Sequence, residues 1–140
     1  MHAPTPAGIK LHRADQTLEL RYATGRQFML TAEYLRVFSP SAEVRGHGLE
    51  EPVLVPGKRE VGIQEIVPVG QYAVRLVFDD GHDTGLYSWD VLWELGREQA
   101  KNWQRYQQRL AEHGMSRDRD LVKLAALPKK YIPTAKAQSR

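Results

Sequence analysis

Twice along its 140 residues this chain places apolar side chains at every second position, and that period limits what it can fold into. Leu18, Leu20 and Tyr22 alternate with Thr17, Glu19 and Arg21, while Tyr72, Val74, Leu76 and Phe78 share one face and Ala73, Arg75 and Val77 the other. Successive strand side chains leave on opposite sides, so such runs predict half-buried strands, the habit of antiparallel sheets. Ile9 and Leu11, alternating with Lys10 and His12, predict a partner for the first run, and Ala23-Thr24-Gly25-Arg26 predicts a turn into a short strand at Gln27-Phe28-Met29-Leu30. Val61 to Val69 reads as a further strand in which Glu65 marks a bulge and Pro68 an edge or an end. Asp80-Gly81 predicts a two-residue type I′ turn after Phe78, with Thr84 to Tyr87 returning antiparallel.

Helical spacing punctuates these strands. Thr31 is suited to cap a helix carrying Tyr34, Leu35 and Phe38 on one side, and Pro40 stops it after about two turns. Ser88 is suited to cap a longer helix whose face runs Leu92, Leu95, Gln99, Trp103, Tyr106 and Leu110 as far as His113-Gly114, with Gly96 as the expected break. Residues 48–59, rich in Gly and Pro, read as a loop of functional length, partly extended around Val53-Leu54-Val55. The expected class is α+β: an antiparallel β-sheet with a short inserted helix and a longer C-terminal helix packed on it. The expected organisation is a flexible N-terminus over 1–8, one domain over 9–113, and a basic, largely disordered tail over 114–140 in which Leu121 to Leu127 is suited to a short helix.

Composition removes several function classes. The chain has no cysteine, which excludes disulfides, thiolate catalysis and cysteine-based metal sites and fits a reducing cytoplasm. The N-terminus lacks the apolar stretch of a secretory signal and no later run suits a bilayer span, so a soluble cytoplasmic protein without membrane association is expected. The net charge of +3 hides an asymmetry: residues 97–140 hold 11 Lys/Arg against 4 Asp/Glu, and residues 1–96 hold 9 against 13. A basic C-terminal third on a mildly acidic body attracts polyanions or simply keeps a protein soluble.

Two segments carry the most specific signal. One runs Leu35-Arg36-Val37-Phe38-Ser39-Pro40-Ser41-Ala42-Glu43-Val44-Arg45-Gly46-His47-Gly48 and the other Phe78-Asp79-Asp80-Gly81-His82-Asp83-Thr84-Gly85-Leu86-Tyr87-Ser88-Trp89. Together they resemble the small domain that precedes the catalytic domain of gamma-butyrobetaine hydroxylases. The version here is similar to the stand-alone bacterial branch, which has no settled function, and to the form fused to Mrp-type ATPases linked to iron–sulfur assembly. The resemblance spans roughly residues 9–97. It implies a shared fold in which the two segments meet, and in zinc-binding relatives it implies three cysteines and a histidine around the ion. Aligned from Leu35-Arg36, those positions fall here at Ser39, Ser41, Val44 and His82. Neutral hydroxyls and a valine do not replace thiolates, so the zinc cage is expected to be absent.

What remains is a candidate binding surface of Arg36, Ser39, Ser41, Glu43, Arg45, His47, Asp80 and His82. His47 and His82 with Glu43, Asp80 or Asp83 are the weak alternative for iron or zinc; the bland reading makes both histidines polar loop residues. Ser39 and Ser41 are most simply turn residues around Pro40. No catalytic residue is assigned. No histidine is followed two positions on by an acidic residue, as a facial-triad oxygenase requires, and G-x-S-x-G, Walker A and G-x-G-x-x-G patterns are missing. Arg97, Lys101, Arg105 and Arg109 form a basic band beside the apolar stripe, read either as a solvated face or as a nucleic-acid contact. The leading expectation is a monomeric, non-catalytic cytoplasmic binding or adaptor domain with a protein partner and no cofactor. A metal protein of iron or iron–sulfur metabolism and a nucleic-acid binder through the basic helix and tail are its alternatives.

Overall fold

The structure, a computed structural model, describes residues 3–45 and 51–119. The fold is α+β. Strands β1 (Gly8–His12), β2 (Thr17–Arg21) and β3 (Gln27–Thr31) form one antiparallel sheet in that order; helices α1 (Ala32–Val37) and α2 (Ala42–Arg45) follow. Strands β4 (Ile63–Val69), β5 (Ala73–Phe78) and β6 (Leu86–Ser88) form a second, and α3 (Trp89–Arg97) and α4 (Gln99–Glu112) close the domain. The expected single sheet is therefore two three-stranded sheets, because the α1–α2 excursion and the loop beyond it separate the strand groups.

The period-two runs bury their apolar faces except at Tyr72, which precedes β5 and is exposed. Leu18, Leu20, Leu30, Ile63, Leu76, Phe78, Tyr87 and Leu92 are buried in one core shared by both sheets and α3. Gln16 ties the sheets together: it turns the β1–β2 hairpin at a positive φ of 54°, its carbonyl accepts from Ala32 N, and its side-chain Oε1 accepts from Ile63 N at 2.8 Å. The register shifts between Ile63 and Glu65, the bulge expected at Glu65.

Local differences have local causes. Gly81 has a φ of 91° while Asp80 is not left-handed. Gly81 N donates to Phe78 O and Phe78 N to His82 O, so the connection is a turn followed by a glycine bulge, not the two-residue type I′ form. One extra residue in the loop turns the following side chain inward, and that side chain is His82. The return strand begins at Leu86.

Thr31 Oγ1 accepts from Tyr34 N at 3.0 Å and Ser88 Oγ from Val91 N at 3.2 Å, so both expected caps are present. The long helix divides at Glu98, which is the C-cap of α3 and the N-cap of α4; Gly96 lies inside α3. That glycine serves packing instead: a Cβ there would stand 2.2 Å from the Phe28 ring, so α3 rides against β3 closer than any side chain permits. Phe28 in turn packs edge-on against Tyr22 and Trp93.

Beyond α4 the described chain is fastened to the body. Gly57 N donates to Ser116 O and Arg59 N to Arg117 O, while Arg59 pairs with Asp118. Arg117 binds Glu33 through two hydrogen bonds of 2.6 and 2.8 Å and lies over the Trp103 ring. Glu33 is buried, so this fork supplies the counter-charge that its burial demands. Residues 120–140, which make up most of the expected tail, lie outside the described residues.

Replacing Gly96 with alanine is expected to destabilise the domain by about 1–3 kcal/mol, because displacing Phe28 outweighs the gain in helix propensity. Urea denaturation of wild type and Gly96→Ala, with tryptophan fluorescence as the probe, measures the difference.

Candidate functional site

The C-terminal end of α1 leads into a proline turn, and the turn faces the loop between β5 and β6. Pro40 holds Ser39 out of the helix, so Ser39 and Ser41 project toward that loop and not along α1. Ser39 Oγ lies 2.9 Å from His82 Nε2 and accepts from Ser41 N at 3.2 Å. Ser41 Oγ meets Thr84 Oγ1 at 2.7 Å and accepts from Glu43 N at 3.2 Å. His82 Nδ1 lies 3.1 Å from Glu43 Oε1. A carboxylate only accepts, so His82 carries its proton on Nδ1 and its Nε2 accepts from the Ser39 hydroxyl.

The next layer is ionic. Asp80 Oδ2 accepts from Arg36 Nε at 2.8 Å and Lys58 Nζ at 2.6 Å, and its Oδ1 accepts from His82 N at 3.1 Å. Burial opposes the charged carboxylate, but hydrogen bonds from Lys58, the His82 amide and Arg36 outweigh it and bring the Asp80 pKa to about 2. Burial also lowers the His82 pKa, the nearby Arg36 charge lowers it further, and Glu43 and Asp80 only partly offset these effects. Beneath the pair, Tyr87 donates to Leu35 O at 2.5 Å, and its burial raises the phenol pKa.

Most of the residues named from sequence thus converge: Arg36, Ser39, Ser41, Glu43, Asp80 and His82 form one connected network. Arg45 ends α2 exposed, and His47 lies outside the described residues. Lys58, Thr84, Gly85 and Tyr87 belong to the network without having been named. Lys58 sits in a loop without periodicity and had no signal. Thr84, two residues from His82 in the second motif, had a weak one. A Cβ on Gly85 would stand 2.5 Å from Ser39 Oγ, so glycine is required by a contact no local pattern reveals.

Ser39, His82 and Glu43 are connected as nucleophile, base and acid are in a hydrolase, but their burial is inverted. Ser39 is wholly buried, whereas the Glu43 side chain is 68% exposed. A hydrolytic serine must meet a carbonyl carbon, and Ser39 Oγ is covered by Gly85. The positions matching a zinc cage fare no better as ligands. Both serine hydroxyls are engaged, Val44 has no donor atom, and both ring nitrogens of His82 are in use. Among the described residues no group of three or more His, Asp or Glu is arranged to hold a metal ion.

An open cleft of about 710 Å³ borders this network. Pro56, Gly57, Lys58, Glu60 and Val61 line one side, with Asp79, Asp80 and Arg119 completing it. The basic band on α4 is by contrast largely neutralised. Arg105 binds both oxygens of Glu51 at 2.9 and 3.1 Å, Arg109 approaches Glu51 at 3.6 Å, and Lys101 lies 3.8 Å from Glu98. Arg97 ends α3 exposed.

The sequence profile of the gamma-butyrobetaine hydroxylase-like N-terminal domain matches residues 9–93. The chain belongs to this family. Two solved solution structures are similar over most of it. One is 54% identical with a TM-score of 0.72, covering 82% of this chain and 86% of the other. The second is 45% identical with a TM-score of 0.73, covering 93% and 98%. A crystal structure of a protein of unknown function from Acidithiobacillus ferrooxidans, assigned to the DUF971 family, is 38% identical with a TM-score of 0.55 over 66% of this chain and 92% of that one. Among curated proteins there is no match.

The depressed His82 pKa fixes a pH dependence. His82 stays neutral in the folded domain while the unfolded chain takes up a proton as pH falls below the ordinary value of 6.5. Its contribution is therefore complete above that value and is lost as pH falls toward the lowered folded value. Asp80 adds a separate loss as pH falls from 3.8 toward about 2. Urea midpoints measured from pH 8 to pH 5 are expected to decline for the wild type and to flatten for His82→Gln.

Proposed function

We propose that this domain is a non-catalytic binding module of the cytoplasm and that it recognises a protein segment in the cleft beside Asp80. The observation that carries this reading is the cleft itself, about 710 Å³ of open space bounded by charges of both signs. Lys58 and Asp80 on its wall are held in a fixed arrangement by the network behind them, which lowers the ordering cost of binding. Glu60 and Arg119 stand exposed at the rim and are free to select a partner by complementary charge. The sealed Ser39 supports a binding role over a hydrolytic one. The lack of cysteine supports a reducing compartment, and among the described residues no helix is long and apolar enough to cross a membrane.

The iron or zinc alternative has less support, since the His82 ring is already engaged on both sides. Nucleic-acid binding along α4 has less support because Arg105 and Arg109 are committed to Glu51.

A photo-crosslinking residue placed at Glu60 in the full chain is expected to capture a discrete partner in native lysate, while the same residue at Glu19, on the first sheet, is not. Glu60→Lys combined with Arg119→Glu is expected to weaken partner binding at least about tenfold, the scale of losing a complementary charged contact. Equal capture from both positions, or binding indifferent to the double reversal, defeats the assignment. For α4, Arg105→Glu with Arg109→Glu is expected to lower the melting temperature by gathering like charges around Glu51, without changing oligonucleotide affinity in a salt titration. A selective loss of oligonucleotide binding at constant stability would restore the nucleic-acid reading.

A further inference from the structure

We infer that Ser39, Ser41, Thr84, Glu43 and His82 form a metal-independent clasp, in which hydrogen bonds fasten the α1–α2 segment to the β5–β6 loop where the family resemblance implies a zinc ion. The donor chemistry requires a substitute of this kind. Zinc is held by thiolate, imidazole or carboxylate, and of the four matching positions only His82 offers such a group. Two hydroxyls and a buried valine are neutral or inert toward the ion.

What these side chains do offer is reciprocal hydrogen bonding, and the geometry uses it fully. The Ser39 hydroxyl donates to His82 Nε2 at 2.9 Å while its oxygen accepts from Ser41 N. Ser41 Oγ contacts Thr84 at 2.7 Å and accepts from Glu43 N, and Glu43 returns to His82 Nδ1 at 3.1 Å. The loop closes on itself. Two of its links cross from the α1–α2 segment to the β5–β6 loop through buried serines, and a third crosses through exposed Glu43. Gly85 packs so closely on Ser39 Oγ that a methyl group has no place between them. A metal ligated by His82 Nε2 would have to displace the buried Ser39 hydroxyl and leave it without its acceptor, an added penalty with no thiolate to offset it.

The clasp is independent of the binding reading: it stands or falls whatever occupies the cleft. The test uses the full chain purified without added metal. Elemental mass spectrometry is expected to find far less than one equivalent of zinc or iron. The melting temperature followed by circular dichroism is expected to be the same with and without a strong chelator. Ser39→Ala and Thr84→Val are each expected to lower it by about 3–8 °C. Thr84→Val is nearly isosteric at an exposed position and provides the measurement if Ser39→Ala does not fold. Near-stoichiometric metal with a melting temperature that falls on chelation would overturn the inference, as would an unchanged melting temperature in both variants.

Discussion

The arrangement that the rest of the site depends on is a buried imidazole with a partner on each nitrogen. Removing His82 from water without partners would cost several kcal/mol, so the ring has to be met by an acceptor for its proton and a donor for its lone pair. Glu43 and Ser39 meet those needs from opposite ends of the Ser39–Glu43 turn. This demand draws the Ser39–Glu43 turn and the β5–β6 loop together, alongside the Ser41–Thr84 and Arg36–Asp80 contacts. It also explains why the turn after Phe78 carries an extra glycine-bulge residue, since a two-residue connection would aim His82 elsewhere.

A second demand sits one layer out. Arg36 and Lys58 approach the same oxygen of Asp80, and the carboxylate keeps both cations beside the neutral ring. Lys58 belongs to the 51–62 connection, so the ion cluster also pins the loop that lines the cleft. The same connection is held on its other flank by Tyr106, which donates to Val55 O at 2.6 Å, and by Glu51 against Arg105. A segment without regular structure is thus placed by polar contacts made to each side of it. The cleft wall is positioned by contacts within the fold.

The sequence announced what depends on near neighbours. Period-two runs, the Thr31 and Ser88 caps, the Pro40 stop and the Glu65 bulge are consequences of chemistry within a few residues, and each has its counterpart in the structure. The meeting of the two motifs was legible through family likeness. Contacts between distant segments were not. Gly96 reads as a helix breaker because propensity is local, while its packing against Phe28 is not; the break moved to Glu98. Arg105 and Arg109 read as a free basic band because nothing near them in sequence foretells Glu51. Lys58 and Gly85 were silent for the same reason.

The inverted burial of the Ser39–His82–Glu43 chain bears on how such domains change role. In a hydrolase the acid is buried to orient the base and the nucleophile is exposed to meet substrate. Here the hydroxyl is sealed and the acid faces water, so polarising Ser39 has no electrophile to act upon. The same three groups in the same order become a fastening, because order of connection defines a network and access defines its chemistry. Hydrogen bonds from Ser39, Ser41 and Glu43 make the attachment here, and Glu43 alone of the three faces solvent. Glu60 and Arg119 at the cleft rim stand outside this network, so they can vary while the scaffold behind them holds.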